Sequence, residues 1–185
     1  MQDEAGGVDR RECDVLVIGG GPAGSTVAPL LVEKGYRVVL LEKARHPRFH
    51  IGESLLPAGN RILQATGAWP KVQAAGFMPK YGAEFHRSDG SGVKKVVFAN
   101  GLMPGLESTF QVERARFDTV LLDHARELGA EVRLETMVKA VEPVAGGHRV
   151  TLAGPTGEST LTVPWVIDAT GRETGLMSDQ KRALD

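Results

Sequence analysis

The chain has 185 residues, of which 42% are hydrophobic, and its 22 lysine and arginine residues nearly balance 23 aspartate and glutamate residues. This composition is typical of a globular protein with one substantial core. The formal net charge of −1 lacks the basic excess that nucleic-acid backbones require, so we expect no nucleic-acid partner. No apolar run approaches the roughly 20 residues that span a bilayer, which argues against membrane association. The first residues do not resemble a signal peptide, so a cytoplasmic location is expected.

The sequence predicts one domain and no metal site. Residues 1–12 are expected to be disordered, residues 13–177 to form the domain, and residues 178–185 to be a polar tail. Cys13 is the single cysteine and is expected in the core, and no cluster of cysteine and histidine has ligand spacing. A predicted strand followed by Gly171 and polar residues lies where an α/β fold ordinarily continues, so the domain is expected to be incomplete.

The first predicted elements form a βαβ unit. The apolar run Asp14–Ile18 indicates a buried parallel strand. Residues 25–34 have helical spacing and end before Gly35, and residues 37–42 predict the second strand. Pro29 lies inside the helix and predicts either a kink or a 3₁₀ turn.

The rest of the chain alternates loops, helices and strands. Residues 43–57 show no periodicity and predict a long ordered loop, a type that usually carries function. The sequence predicts a helix at residues 57–65, a hairpin at 81–99 and a second helix at 115–128. It then predicts a strand at 131–134, a three-stranded antiparallel meander at 138–163 and a last strand at 165–168. Trp165 is expected in the core. The fold class is therefore α/β, Rossmann-like, with an inserted antiparallel meander.

A glycine pattern between the first strand and helix indicates a dinucleotide site. Gly19 permits a tight turn, Gly21 lets the backbone approach a pyrophosphate, and Gly24 lets the helix pack on the strand. Glu42 ends the second strand, where its carboxylate can accept hydrogen bonds from a ribose 2′-OH. The alternative is a structural glycine turn with a surface Glu42. On these residues alone, the dinucleotide could be FAD or NAD.

Three motifs resemble one group of flavoproteins. The segment from Asp14 to Ser25 with Glu42-Lys43 resembles the FAD-binding start of glutathione-reductase-like and hydroxybenzoate-hydroxylase-like proteins. The motif V-x-R-x-x-F-D at 112–118 and I-D-A-T-G-R at 167–172 extend the resemblance to flavin monooxygenases, geranylgeranyl-reductase-like enzymes and flavin-dependent halogenases. It implies a Rossmann-like FAD-binding domain with cofactor contacts by Gly19, Gly21, Pro22, Ala23, Gly24, Ser25, Glu42, Lys43 and Arg114. Without the resemblance, Arg114 would be interpreted as a solvated side chain beside Asp118.

The loop His46–Pro57, which contains G-E-S-L-L-P, most resembles flavin-dependent halogenases, in which this segment crosses the flavin as a strap. We call residues 46–57 the strap. The resemblance implies cofactor contacts by Ile51, Gly52, Glu53 and Ser54, and Gly52 has no Cβ to exclude a cofactor. The alternative is an Ω-loop packed by its own apolar side chains, namely Phe49, Ile51 and Leu55.

A second halogenase-like segment contains Lys80. Residues 76–85 are similar to the stretch that carries the catalytic lysine in phenol- and pyrrole-type halogenases, and Lys80 occupies that position. In those enzymes a flavin hydroperoxide oxidises halide to hypohalous acid, which the lysine amine holds or activates. The resemblance thus implies that Lys80 is catalytic, and its expected apolar surround is Phe77, Met78, Tyr81 and Phe85. The alternative is a surface lysine whose alkyl stem covers apolar surface.

The leading hypothesis is the N-terminal portion of a flavin-dependent halogenase. The resemblance implies reduced FAD from a separate flavin reductase and an electron-rich aromatic small molecule as substrate, free or carrier-tethered. The W-x-W-x-I-P signature of halogenases does not occur in the chain and normally lies downstream. Two alternatives stay open: an NAD(P)H-dependent flavin monooxygenase or geranylgeranyl-reductase-like enzyme, and a truncated, catalytically inactive FAD-binding fragment.

Overall fold

The computed structural model describes residues 12–101 and 104–171. The segments 1–11 and 172–185, which include almost all of the expected disordered stretch and the whole polar tail, lie outside this range. The described helices are α1 Pro22–Glu33, α2 Ala58–Ala65, α3 Trp69–Ala74 and α4 Arg114–Glu127. The strands are β1 Val15–Ile18, β2 Val38–Leu41, β3 Met78–Lys80, β4 Gly82–His86, β5 Val93–Val97, β6 Thr109–Gln111, β7 Glu131–Arg133, β8 Met137–Val144, β9 Gly147–Gly154, β10 Gly157–Val163 and β11 Trp165–Asp168.

A four-stranded parallel sheet, in the order β11-β1-β2-β7, lies at the centre of the fold. All residues of β1 and β2 are buried, because both faces of this sheet are covered. Residues 15, 17, 38 and 40 pack with α1 and α4 on one face, while residues 16, 18, 39 and 41 pack with the meander β8-β9-β10 on the other. The predicted α/β fold with an inserted meander is confirmed.

Helix α1 differs from its prediction at the start and at its internal proline. It begins at Pro22 rather than residue 25, because Pro22 is favourable in a first turn and Gly21 provides the extended N-cap. It continues as α-helix through Pro29, so the predicted 3₁₀ turn is wrong. Pro29 is buried inside the helix, where its ring removes one backbone hydrogen bond, and the predicted alternative of a kink stays a prediction.

Smaller elements form a layer beside the main sheet that the sequence only partly predicted. The hairpin β4-β5 was expected, but α3 and the antiparallel pair β3-β6 were missed. Strands of three residues are too short to show a period. This layer has its own core, which includes Leu63, Val72, Phe77, Val112, Phe117 and Leu121.

Two single-residue expectations have opposite outcomes. Cys13 is buried against the main sheet, as predicted, and burial raises the pKa of its thiol. The expectation that Trp165 is a core residue is wrong, since 66% of it is exposed. It begins β11, which forms an edge of the main sheet among the described residues. Among all the residues that the structure describes, no helix is both long and apolar enough for a membrane crossing.

Candidate cofactor site

In the glycine loop between β1 and α1, a Cβ would clash with backbone at Gly19 and Gly24 and would lie 2.9 Å from the Glu42 Cβ at Gly20, whereas Gly21 has room for one. A Cβ on Gly19, whose φ is +110°, would lie 2.5 Å from the Ala169 carbonyl oxygen. A Cβ on Gly24 would lie 1.9 Å from the Gly19 carbonyl oxygen. At Gly21, by contrast, the nearest atom would be Arg48 Nη2 at 3.7 Å. Gly21 therefore leaves open space, which is where a pyrophosphate could approach the backbone.

The N-terminus of α1 is suited to an anion. Gly21 caps the helix without a side-chain hydrogen bond, and its first turn, which contains Pro22 and Ala23, has no acidic residue. The partial positive charge of the helix end is therefore not neutralised by its own side chains. Ser25 does not cap the helix: its hydroxyl donates to the Gly20 carbonyl at 3.1 Å and so shapes the loop.

Glu42 ends β2 and holds the glycine loop in place. Its carboxylate is buried and accepts hydrogen bonds from the backbone N–H of Gly20 and of Ala44, each at 2.8 Å. The alternative of a surface Glu42 is therefore wrong. Each carboxylate oxygen can accept more than one hydrogen bond, so a ribose contact by Glu42 stays a prediction. Lys43, the next residue, is exposed.

Sequence reasoning missed two strap residues that lie beside Glu42. Arg48 Nη2 is 3.5 Å from Glu42 Oε2 and 3.9 Å from Asp118 Oδ2, so one guanidinium lies between two buried carboxylates. The His46 side chain is buried 4.0 Å from Glu42, and neither ring nitrogen has a hydrogen-bond partner in the described structure. Burial, followed by the charge of Arg48, lowers the pKa of His46. The sequence His46-Pro47-Arg48 has no periodicity, so no local pattern indicated this cluster.

Arg114 joins α4 to the strap. Its Nε and Nη2 donate to the two oxygens of Asp118, at 2.7 and 3.0 Å, and Asp118 is fully buried. Its Nη1 donates to the Ile51 carbonyl at 2.7 Å. Gly52, with φ +100°, passes so close that a Cβ would lie 3.2 Å from Nη1. Arg114 is thus a nearly buried clamp, not the solvated side chain of the alternative interpretation.

The strap is held by polar contacts and backbone pairing. The Val112 N–H donates to the Glu53 carbonyl at 2.8 Å, and the Leu55 N–H donates to the Phe110 carbonyl at 3.2 Å. Between them, Ser54 and Gln111 form an antiparallel β-bridge. These bonds add the strap to β6 on the edge opposite β3. The self-packed Ω-loop is wrong for two of its three residues, because Phe49 is 85% exposed and Ile51 is 69% exposed.

Lys80, the last residue of β3, extends across β6 to the strap. Its Nζ donates to Ser54 Oγ at 2.7 Å and to the Leu55 carbonyl at 2.8 Å. The Phe98 ring centroid lies 5.3 Å from Nζ, at cation–π distance. The predicted apolar surround is wrong: Phe77 packs in the core against Phe117, and the other members are exposed, namely Met78, Tyr81 and Phe85. The alternative of a surface lysine whose alkyl stem covers apolar surface stays open, although its ammonium group makes these specific contacts.

A groove of about 410 Å³ lies between the first turn of α1, α2 and the strap. It runs from the first turn of α1, at Pro22 and Ala23, along α2 to the strap residues Gly52 and Ser54, and Arg114 lines it too. The open backbone at Gly21 and the helix N-terminus fit a dinucleotide phosphate, while the lining of the groove is mostly apolar and includes Leu55, Ile62 and Phe117. The residues present therefore fit FAD, although the individual contacts stay predictions.

Comparison with known proteins assigns the chain to a family. Residues 12–179 match the FAD binding domain family, and the chain belongs to it. A flavin-dependent halogenase of Armillaria mellea is 38% identical over 175 residues, which cover 89% of this chain and 32% of that protein. The 1H-pyrrole-2-carbonyl-[peptidyl-carrier protein] chlorinase of Pseudomonas fluorescens is 34% identical over 177 residues, covering 86% of this chain and 39% of that protein.

A solved structure gives the same assignment. The myxobacterial chondrochloren halogenase superposes with a TM-score of 0.81 at 35% identity, over 89% of this chain and 38% of that chain. The resemblance to flavin-dependent halogenases and the FAD cofactor are thereby confirmed. The chain spans about a third of the length of the curated relatives that it matches.

Proposed function

We propose that this chain is the FAD-binding N-terminal part of a flavin-dependent halogenase. The observation that carries the proposal is the contact between Lys80 and Ser54, which puts the halogenase-type lysine on the strap beside the FAD groove. Similarity to halogenases over nearly the whole chain supports it. When bound, reduced FAD supplies, with oxygen, the oxidising equivalents for halide.

Different residues of the chain are assigned to the two halves of the cofactor. We assign the pyrophosphate to the backbone at Gly21 and Ala23 and the ribose to Glu42. Loop residues Gly19, Gly24 and Ser25 shape this end, and Lys43 is exposed at its rim. At the other end, Ile51, Gly52, Glu53 and Ser54 cover the flavin.

Lys80 would act on the oxidised halide. Two of the three ammonium N–H groups are used by Ser54 and Leu55, so one remains to donate a hydrogen bond to hypohalous acid. The face of Phe98 stabilises the positive charge at this position. The lysine thereby holds the halogen donor in place until the aromatic substrate receives it.

We further propose an electron-rich aromatic substrate and a separate flavin reductase. The Pseudomonas fluorescens relative is named for a pyrrole carried on a peptidyl carrier protein, which favours an aromatic ring, free or carrier-tethered. The cytoplasmic location and the domain bounds 13–177 stay predictions from the sequence.

FAD titration of the purified chain tests the cofactor proposal. We expect FAD and ADP both to bind, and FAD to bind more tightly because only FAD reaches the strap. Failure of the folded chain to bind FAD would favour the inactive-fragment alternative.

Halogenation is tested in the complete protein that contains this chain. With a flavin reductase, NADH and bromide, we expect a brominated aromatic product by mass spectrometry. Lys80→Ala should abolish the product while flavin oxidation by oxygen continues. Stoichiometric NAD(P)H consumption without a reductase would instead support a monooxygenase or reductase of this fold.

A further inference from the structure

Lys80 makes contacts that a purely chemical role does not require. Its Nζ donates to two consecutive strap residues, to the Ser54 hydroxyl at 2.7 Å and to the Leu55 carbonyl at 2.8 Å. Because Lys80 lies on β3 and the strap pairs with the far edge of β6, the side chain ties the two outer strands of a three-stranded arrangement together.

Near this point the strap is also held by two backbone hydrogen bonds to β6 and by the packing of Leu55 against the core of the smaller layer. Phe49 and Ile51, nearer its start, are exposed, so burial does not fix that part of the strap. Arg114 holds the strap at Ile51 and Gly52, and Lys80 holds it two to three residues further along. Hydrogen bonds with a charged donor are stronger than neutral ones, so these two cations are strong side-chain anchors for residues 51–55 of the strap, while Arg48 pairs with Glu42 and Asp118 near its start.

We propose that Lys80 is a positioning residue for the strap, acting through Ser54 and Leu55, and that it thereby contributes to the affinity for the flavin half of FAD. This inference rests on the proposed function, since it places the flavin under the strap. It assigns Ser54 a specific task, which is to accept the lysine hydrogen bond. Gly21 and Glu42, to which the pyrophosphate and the ribose are assigned, make no hydrogen bond with Lys80 among the described contacts, so the binding of ADP should be indifferent to Lys80.

Parallel titrations of this chain with FAD and with ADP test the proposal. Lys80→Met keeps the alkyl stem and removes the charged donor, and we expect it to weaken FAD binding about tenfold while ADP binding changes less than about twofold. Lys80→Arg should recover part of the loss because it restores a charged donor. Lys71→Met is the matched control, since Lys71 pairs with exposed Glu127 on another surface.

Ser54 provides a second, independent arm. Ser54→Ala should weaken FAD binding about threefold in the wild-type chain and have no further effect in Lys80→Met, because the two residues act as one unit. Unchanged FAD affinity in both variants, or an equal loss of FAD and ADP affinity, overturns the proposal. A wild-type chain that binds neither ligand refutes the proposed function instead.

If the wild-type chain binds neither FAD nor ADP, hydrogen exchange of the chain without cofactor still tests the positioning role of Lys80. The Leu55 and Val112 amides, which bond the strap to β6, should exchange faster in Lys80→Met than in wild type or Lys71→Met. Equal exchange rates at these amides in the three proteins contradict a positioning role for Lys80.

Discussion

At the scale of single residues, the glycine loop contains glycines that the fold requires and one glycine, Gly21, that leaves space for a ligand. Gly24 has no room for a methyl group, since its Cβ would lie 1.9 Å from a carbonyl oxygen, whereas Gly21 has open space. Identical substitutions at the two positions should therefore have different consequences.

We predict that Gly24→Ala lowers the free energy of unfolding by about 3 kcal/mol through overpacking. Gly21→Ala should leave that free energy within about 0.5 kcal/mol of wild type and still weaken FAD binding, because its methyl group points to the phosphate space. Urea denaturation and FAD titration measure the two effects. Equal destabilisation by both substitutions would contradict the steric argument.

His46 is predicted to make stability depend on pH. Burial and Arg48 lower its pKa in the folded state, so the unfolded chain binds the proton more readily. The unfolding free energy should therefore be fully retained above the unfolded pKa of about 6.5 and fall as pH drops from there through the folded pKa. The charges of Glu42 and Asp118 oppose this lowering of the His46 pKa, and the charge of Arg126 adds to it.

The His46 effect is measured by urea denaturation at about pH 7.5 and about pH 5.5. His46→Gln does not titrate at this position and should lose less stability on acidification than wild type. His50→Gln, an exposed position on the same strap, serves as the control and should behave as wild type. An unchanged pH dependence in His46→Gln would rule out His46 as its source.

At the scale of elements, an ion pair within α4, between Arg114 and the buried Asp118, supports the contact from this helix to the strap. Asp118 is fully buried and bonded in bidentate fashion to Arg114, which in turn holds Ile51. Removing the carboxylate charge leaves the guanidinium of Arg114 without its partner in a nearly dry position.

Asp118→Asn is therefore predicted to lower the free energy of unfolding by about 3 kcal/mol. The matched change Asp123→Asn breaks an exposed pair with Arg126 on the same helix and should cost less than about 0.5 kcal/mol. Denaturant unfolding compares the two variants. If they lose the same amount, the buried pair does not stabilise the fold as described.

Elements with a clear period were predictable from the sequence, and the contacts between loops were not. The apolar run before Gly19 and the glycine spacing indicated β1, α1 and the cofactor loop within a few residues. The strap's position was recognisable only by resemblance, since its conformation depends on Arg114 and Lys80, whose contacts with the strap span 63 and 25 residues of sequence. Phe98 and Arg48 were missed because each acts through a tertiary contact that leaves no local pattern.

At the scale of the whole molecule, the two faces of the main sheet belong to one structure. Leu152 of the meander packs on one face and Leu122 of α4 on the other, with β1 and β2 between them. Damage to the meander should therefore weaken the entire fold and not the meander alone.

We predict that Leu152→Ala lowers the free energy of unfolding by about 2 to 5 kcal/mol and keeps a single transition. Far-ultraviolet circular dichroism reports on all the elements, and the fluorescence of Trp69 and Trp165 reports on two different layers. The two probes should give the same midpoint because the layers unfold together. Separate midpoints would mean that the meander unfolds on its own.

The strand order of the main sheet also bears on how the chain is made. β1 lies between β2 and β11, and Val15 pairs with Trp165, which is 150 residues later in the chain. At about 5 to 20 residues per second, the ribosome needs roughly 10 to 30 s to deliver that partner. For this interval the nascent βαβ unit has an apolar strand with one unpaired edge, so its synthesis is expected to depend on chaperones that shield such edges.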